Sequence, residues 1–287
     1  MLMLRIGGVA EHYNLPWHLL AESGNLSDSG IEIQWRNCPG GTGEMTQLLE
    51  EEALDMAILL TEGMVASCMK GNRARIVKVF VNSSLEWGVH TSVNAMVDFS
   101  GSSELVFAVS RIGSGSHLMA LLYAQQKGIP MDKLRFEEVG SLDGAMKAFE
   151  EGRVQVFLWE RYTTEPYCEL HAIQRVDSID TPWPCFVAAV RPDFYERYQP
   201  EFSALFKEVF DEASKLKHSP TAIAMIADRY GLPQSGVRSW FDKVTWGEGE
   251  NLSLLEVKKV VDHLQGAGGL SITMDPHEVL LGTQLSV

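Results

Sequence analysis

A short apolar segment followed at once by a glycine- and serine-rich loop is the feature that most constrains this chain. Residues 105–109 (LVFAV) predict a buried strand, and the small residues 113–116 (GSGS) begin four positions after its last residue. The apolar spacing beyond this GSGS loop predicts a helix that ends at Gly128, just before Pro130. The sequence therefore predicts a strand, a loop and a helix N-terminus in direct succession.

The GSGS loop is a candidate ligand-binding loop. Backbone N–H groups at a helix N-terminus are unpaired and lie at the positive end of the helix dipole, which suits an anionic or carbonyl oxygen. The hydroxyls of Ser114 and Ser116 add further polar atoms, and glycine permits positive φ. The alternative is a capped turn in which one serine only caps the helix. The loop is not a P-loop or a dinucleotide fingerprint, because the required lysine and later glycine are missing.

The residues around this loop resemble a known family. GSGSH before an apolar helix, and then SLDGAMKAFEEGRVQVFLWERY at 141–162, are similar to the second lobe of ABC-transporter substrate-binding proteins for aliphatic sulfonates, taurine and nitrate. The fungal thiamine-pyrimidine synthases share that fold. The resemblance covers about residues 4–210. It implies an α/β, two-lobe, type II periplasmic-binding-protein-like fold in which each lobe is a mixed sheet flanked by helices.

The resemblance also implies where the lobes begin and end. Residues 1–88 and 182–287 are expected to form the first lobe and residues 89–181 the second, with two crossover strands. The segment 87–93 resembles the first crossing strand, and the apolar run 185–190 resembles the strand that returns to the first lobe. Two prolines stiffen the TPWP segment before that return.

Composition excludes several classes of protein. A chain of 287 residues with 45% hydrophobic and 22% charged residues is typical of a soluble globular protein. Its net charge of −14, without a local basic patch, argues against binding to nucleic acid or anionic lipid. We expect no membrane insertion and no cofactor. We also expect no metal, because the sequence contains no metal-ligand spacing. We expect a monomer or a weak dimer.

The cysteines and the N-terminus bear on the compartment. Four cysteines without a C-x-x-C pair predict free, mostly buried thiols in a reducing compartment, at Cys38, Cys68, Cys168 and Cys185. The start MLMLRIGGVAEHYN lacks a secretory apolar region and reads as the first strand. A cytoplasmic location is therefore expected, and a periplasmic one only if an export signal has been removed. Because the transporter-associated family is exported, partnership with a transporter is in doubt.

Polar residues follow several predicted strands, where open α/β sheets bind ligands. After the strand 4–9 come His12 and Tyr13, and Thr42 lies in a second glycine loop. The other candidates in the first lobe are Thr61 and Glu62, after the strand 56–60, and Asn82, after 76–81. Two alternatives stay open: a merely solvated His12, and Thr61 as a helix cap with Glu62 in its first turn.

The second lobe adds aromatic and acidic candidates. Trp159 and Glu160 follow the predicted strand 154–158 and match the aromatic-acidic turn of the family, although Trp159 is equally suited to a core position. His117 is expected to face the ligand region or to cap the helix, as the resemblance implies. The predicted ligand-binding residues are Ser114, Gly115, Ser116, His117, His12, Tyr13, Thr42, Thr61, Glu62, Asn82, Trp159, Glu160 and Trp183.

These observations favour a binding protein over an enzyme. No nucleophile elbow, metalloprotease helix or cysteine beside a base occurs, and the predicted cleft segments contain no lysine for a Schiff base. We expect a solute-binding protein that captures a small organic, anionic or zwitterionic ligand in an interlobe cleft and closes by hinge motion. The alternatives are an enzyme of the thiamine-pyrimidine-synthase or another metabolite-transforming type that uses the same cleft, and an effector-sensing partner of another protein.

Overall fold

The computed structural model describes residues 1–24, 26, 30–93, 95–266 and 274–281, and they form two compact units. The first unit contains Met1–Ser84, Trp183–Val261 and residues 274–281. The second contains Leu85–Pro182 and residues 262–266. The sequence-based boundaries, 88/89 and 181/182, lie close to these positions but leave residues 262–266 in the first lobe.

Each unit is built on one five-stranded mixed sheet. The strands are β1 (Leu2–Gly8), β2 (Ile31–Asn37), β3 (Met56–Leu60), β4 (Arg75–Val81), β5 (Glu86–Ser92), β6 (Leu105–Val109), β7 (Leu134–Glu138), β8 (Val156–Glu160), β9 (Ile173–Asp180) and β10 (Phe186–Val190). The strand order is β2-β1-β3-β10-β4 in the first sheet and β7-β6-β8-β5-β9 in the second. β1 pairs in parallel with β2 and β3, and β6 with β7 and β8, whereas β10 and β5 are antiparallel to both neighbours. The predicted mixed sheets are confirmed.

Helices connect and flank these strands. They are α1 (Leu15–Ser23), α2 (Gly41–Glu50), α3 (Thr61–Met69), α4 (Gly115–Lys127), α5 (Leu142–Glu150), α6 (Glu165–Glu169), α7 (Pro192–Arg197), α8 (Gln199–His218), α9 (Ala222–Tyr230), α10 (Gln234–Lys243) and α11 (Leu254–Gly266). Short 3-10 helices cover His12–Asn14, Met131–Lys133 and Pro276–Val279. No helix within the described ranges is long and apolar enough to cross a membrane.

The helices that follow parallel strands begin at one edge of each sheet. α3 starts directly after β3, and α4 starts at Gly115, within the GSGS loop that follows β6. Because parallel strands end at the same edge, the N-termini of these helices and the residues after each strand collect there. This carboxyl edge is where the sequence predicts ligand-binding residues in both sheets.

Apolar periodicity explains the cores. The stripe predicted in the long helix α8 is buried, with Phe202, Leu205 and Val209 fully excluded from solvent. In the second unit, Ala108 and Phe157 of the sheet pack with Ala148 and Phe149 of α5. The capping box predicted before α11 is also present, because the N–H of Glu256 donates to Ser253 Oγ at 3.2 Å and the Ser253 N–H donates to Glu256 Oε2 at 2.7 Å.

Two strands, β8 and β9, differ from the expectation. β8 runs from Val156 to Glu160 rather than 154–158, so Trp159 and Glu160 lie within the strand and not in a turn after it. The segment 87–93 lies almost wholly within β5, a strand of the second sheet between β8 and β9. β9 itself was absent from the prediction. Its sequence IQRVDSID is mostly polar because it forms the sheet edge beside β5.

Gly144 offers a test of how tightly the first turn of α5 packs against the segment that follows β7. A Cβ added at Gly144 would lie 1.9 Å from the carbonyl oxygen of Val139, a contact that forces the backbone to move. We expect Gly144→Ala to lower the free energy of unfolding by about 1–3 kcal/mol. Urea unfolding measures this, with the exposed α5 residue Lys147→Ala as control, for which a change below about 0.5 kcal/mol is expected. Equal stability of both variants would contradict the packing.

Candidate functional site

The GSGS loop is a capped helix start. Ser114 has an extended backbone (φ −76°, ψ 169°), and its Oγ accepts a hydrogen bond from the N–H of His117 at 3.4 Å, so it is the N-cap of α4. The positive φ that the loop requires lies at Gly113 (φ 81°) and not at Gly115, which is the first residue of the helix. Only a glycine adopts the Gly113 conformation without strain.

The side chains of the loop bond mainly to the loop itself. Ser116 Oγ accepts from the N–H of Ser110 at 2.9 Å and lies 3.1 Å from Ser114 Oγ. His117 Nδ1 accepts from the N–H of Gly113 at 3.1 Å. By contrast, the N–H groups of Gly115 and Ser116 form no hydrogen bond within the part of the chain that the structure describes. These two N–H groups, rather than the hydroxyls, are thus the donors left for a ligand.

Glu160 ends the strand next to β6 and is almost completely buried, with 3% of its surface exposed. Its Oε2 accepts from the N–H of Thr163 at 2.7 Å and from Thr163 Oγ1 at 2.8 Å. Its Oε1 has no hydrogen-bond partner among the described residues. Burial raises the pKa of Glu160 to about 7, the bonds from Thr163 lower it, and the nearby charge of Glu86 raises it further.

Trp159 faces away from Glu160 along the strand and belongs to the core of the second unit. Its ring stacks on Phe157 at a centroid distance of 5.4 Å and an interplanar angle of 23°. It packs against the apolar cluster that contains Ala108 and Phe149 and remains half-buried. The core alternative considered for Trp159 therefore has a structural basis, and its contact with a ligand stays a prediction.

Glu62 is the counterpart of Glu160 in the first unit. It lies in the first turn of α3, directly after β3, and is fully buried. Trp183 Nε1 donates to Glu62 Oε2 at 2.8 Å, whereas Oε1 has no hydrogen-bond partner among the described residues. Burial raises the pKa of Glu62 to about 7, although its own backbone N–H and the indole of Trp183 oppose that shift. The structure thus brings two predicted residues together across 121 positions of sequence.

Of the neighbouring candidates in the first unit, two form hydrogen bonds with the backbone and one is exposed. The Thr61 hydroxyl donates to the carbonyl of Pro184, and its N–H donates to the carbonyl of Cys185 at 3.1 Å. Thr42 Oγ1 accepts from the N–H of Leu60 at 3.3 Å, which ties the start of α2 to the end of β3. Asn82 is exposed at the end of β4. Thr61 and Thr42 therefore hold in place the backbone around Glu62.

His12 and Tyr13 lie in an aromatic cluster rather than in an open loop. The His12 ring contacts Trp240 edge-on at 4.2 Å and Tyr230 at 6.2 Å, and Tyr13 contacts Trp240 at 5.1 Å. Both residues are buried, and burial lowers the pKa of His12 to about 3. A neutral His12 is the form present at physiological pH. A solvated His12, one of the alternatives from sequence, is excluded.

Sequence reasoning missed the residues that support the candidates. Thr163 lies three positions after Glu160, and its N–H donates a hydrogen bond to Glu160 Oε2. The N–H of Ser110 donates to Ser116 Oγ. Trp240 and Tyr230 reach His12 from helices late in the chain. A hydroxyl residue three positions after an acid is a usable signal for the first case, but the aromatic contacts leave no local trace in sequence.

The described residues contain no candidate metal cluster and no disulfide. No cluster of three or more histidine, cysteine, aspartate or glutamate residues suited to a metal ion occurs within the described ranges. No disulfide joins Cys38, Cys68, Cys168 and Cys185, and all but Cys168 are buried. The polar groups described above are the N–H groups at the start of α4 in the second unit and one buried carboxyl in each unit.

Comparison with known proteins agrees with this picture. Residues 87–179 match the family model described as Ca3427-like PBP, a group of periplasmic binding proteins. The structure of the Candida albicans CA3427 gene product, which defines a family with the generic periplasmic-binding-protein fold, matches with a TM-score of 0.89 at 25% identity, covering 100% of this chain and 98% of that one. No curated protein sequence matches the chain.

Two more distant structures share the fold. The alkanesulfonate-binding protein SsuA from Xanthomonas axonopodis pv. citri, bound to MOPS, matches with a TM-score of 0.76 at 15% identity, covering 94% of this chain and 95% of that one. The periplasmic nitrate-binding protein NrtA from Synechocystis PCC 6803 matches with a TM-score of 0.70 at 11% identity, covering 96% of this chain and 83% of that one. The two-lobe periplasmic-binding-protein fold and the resemblance predicted from sequence are confirmed.

The raised pKa of Glu62 predicts how stability depends on pH. Between its ordinary value of 4.5 and about 7, the folded protein keeps a proton that the unfolded chain releases. Stability therefore falls as pH rises through this window and then levels off. Glu62→Gln carries no such proton, so from pH 5 to pH 8 it should gain on the order of 2 kcal/mol in unfolding free energy relative to the parent.

Urea unfolding at both pH values measures this difference. Glu160→Gln should show the same trend, because the pKa of Glu160 is also raised to about 7 by burial. The double variant should then have the flattest pH profile of the four proteins. Parallel profiles for the parent and Glu62→Gln would contradict the assignment of a buried, proton-retaining Glu62.

Proposed function

We propose that this protein is a solute-binding protein that captures a small organic molecule with residues of both units and closes on it by a hinge motion. The proposal rests above all on the free N–H groups of Gly115 and Ser116 at the start of α4. A ligand oxygen bound there would complete an otherwise open helix N-terminus. The carboxyl of Glu160, which ends the neighbouring strand, supplies a second polar group at the same sheet edge.

The first unit supports the same proposal with an independent set of residues. Glu62 and Trp183 form a buried polar pair at the carboxyl edge of the first sheet, and Glu62 keeps one oxygen without a partner. A buried polar atom without a partner is expensive, so its persistence in a fold favours a ligand that completes it. Thr61 and Thr42 anchor the backbone on either side, which favours a fixed rather than an adaptable binding surface.

The proteins of known structure make small-molecule binding the natural function for this fold. SsuA is an alkanesulfonate-binding protein and NrtA a nitrate-binding protein, and both share the fold at low sequence identity. Fold alone does not carry a ligand from one protein to another. The ligand class must therefore come from the residues of this chain.

A proline at position 115 tests the helix N-terminus directly. Proline is well tolerated at the first position of a helix, and the extended conformation of Ser114 suits a residue before proline. Gly115→Pro therefore removes one N–H and keeps the helix. We expect it to weaken binding of the molecule that co-purifies with the parent, as identified by native mass spectrometry, by about 0.5–1.5 kcal/mol in isothermal titration.

The matched control for that experiment is Gly115→Ala, which keeps the N–H. Gly115→Ala should bind the co-purifying molecule about as tightly as the parent does. The two ligand-free variants should have similar thermal midpoints. If Gly115→Pro binds as well as Gly115→Ala, the N–H of residue 115 is not a ligand contact, and the GSGS loop is only a capped turn.

Hinge closure predicts a change of size in solution. A ligand shifts a two-state equilibrium only by its differential affinity for the closed form, so binding should favour the more compact state. We expect small-angle X-ray scattering to show a smaller radius of gyration after the co-purifying molecule is added back to stripped protein. Tight binding by calorimetry with an unchanged radius of gyration would contradict closure.

A further inference from the structure

Two neighbouring side chains of the second sheet each carry a buried polar atom without a partner. Trp87 and Glu160 are directly opposed residues of the antiparallel strands β5 and β8. They are 4% and 3% exposed, and neither Trp87 Nε1 nor Glu160 Oε1 forms a hydrogen bond within the described ranges. Side chains of directly opposed residues point to the same face, with Cβ atoms about 4.5–5.5 Å apart. Both atoms therefore belong to one place within one unit.

This pair lies on the face of the sheet that α4 covers. Val89 is two residues after Trp87 on β5 and is paired with Asp177 of β9, so all three side chains share a face. Asp177 Oδ2 accepts a hydrogen bond from Tyr123 Oη of α4 at 3.1 Å. Glu160 is also the last residue of β8, at the carboxyl edge where α4 begins. A molecule bound by the pair would thus lie on the same face and at the same edge as the open N-terminus of α4.

Both unpartnered atoms are hydrogen-bond donors when Glu160 is neutral. The indole N–H of Trp87 can only donate. Burial raises the pKa of Glu160 to about 7, so the folded protein keeps this carboxyl protonated at pH 6. The proton lies on Oε1, because Oε2 already accepts from the N–H of Thr163 at 2.7 Å and from Thr163 Oγ1 at 2.8 Å. The place therefore has two donors and lacks an acceptor.

We propose that Trp87 Nε1–H and Glu160 Oε1–H donate together to a single acceptor oxygen of the bound molecule. This inference rests on the proposed binding function and adds Trp87 to its ligand contacts. It also specifies the ligand class. The molecule presents a carbonyl or carboxylate oxygen to the α4 face of the second sheet, and not an ammonium or another group that only donates.

A single water molecule is the other possible occupant of this place. The neighbouring positions on the same face are apolar, with Ile179 opposite Trp87 on β9, and Val89 opposite Leu158 in the next row. A water molecule would accept both hydrogen bonds, but it also carries two hydrogen atoms for which these apolar side chains provide no acceptor. An oxygen that only accepts satisfies the two donors and leaves no donor of its own unpaired.

Conservative variants separate the donor role from packing. Trp87→Phe keeps an aromatic ring but removes the N–H, and Glu160→Met keeps the length of the side chain without a donor. Glu160→Gln retains a donor, because its amide oxygen can keep the bonds from Thr163 while its NH₂ group takes the position of Oε1. We expect binding of an acceptor oxygen to weaken about tenfold in Trp87→Phe and in Glu160→Met, and to stay within about threefold of the parent in Glu160→Gln.

Trp17→Phe is the matched control for loss of an indole. Trp17 is fully buried in the first unit, and its Nε1 also has no hydrogen-bond partner among the residues that the structure describes. The substitution therefore makes the same chemical change at an equally buried position outside the second sheet. It should leave the affinity for an acceptor oxygen unchanged.

The experiment uses the full-length parent and variants, freed of bound small molecules by dialysis, at pH 6. The probes are acetate and acetone, which present acceptor oxygens, and ethylammonium, which presents only donors. NMR of the indole N–H groups reports binding, and the Trp87 resonance is the one that disappears in Trp87→Phe. We expect acetate or acetone to shift the Trp87 resonance but not that of Trp17, with affinities for the variants in the order given above.

Several results would overturn the inference. They are a Trp87 resonance that neither acetate nor acetone moves, as a trapped water molecule would give, and tighter binding of ethylammonium than of acetate. Equal affinity of the parent and Trp87→Phe, or equal weakening in Glu160→Gln and Glu160→Met, would also overturn it. The proposed binding function would survive each of these results, because the comparison of Gly115→Pro with Gly115→Ala tests it separately on the co-purifying molecule.

Discussion

The first sheet depends on a strand that the chain supplies only after it has built the second unit. β10 lies between β3 and β4 and is antiparallel to both, and all five of its residues are buried. Without β10, the backbone N–H and C=O groups of β3 and β4 that face it would lose their hydrogen-bond partners in the sheet. The second sheet uses β5 in the same position, antiparallel between β8 and β9. Each five-stranded sheet is thus a parallel trio that an antiparallel strand joins to a fifth strand at the edge.

This construction explains why polar residues cluster where they do. The parallel trio places strand ends and helix N-termini at one edge, and the buried glutamates and the GSGS loop belong to those connections. Burying Glu62 and Glu160 with one oxygen unpaired lowers the stability of the ligand-free protein. Such a loss is common where binding groups are held ready for a partner.

Most of the fold could be predicted from sequence because local patterns specify it. The strands from β1 to β4, the GSGS loop and the stripe of α8 follow from periodicity and from glycine and capping signals. β9 escaped prediction because an edge strand in contact with solvent needs few apolar residues. Within the candidate site, a serine cap of the helix at Ser114 or Ser116 could be predicted, but the pairing of Glu62 with Trp183 and the burial of His12 could not. Both depend on residues far away in the sequence.

The position of β10 in the chain also determines the order in which the two sheets can be completed during synthesis. Translation runs from the N-terminus, so every strand of the second sheet is synthesised before Phe186–Val190. The second sheet can therefore pair while β3 and β4 still present open edges, which are prone to join other chains. A truncated chain that ends before Phe186 would keep every strand of the second sheet but would leave β3 and β4 without the strand that lies between them.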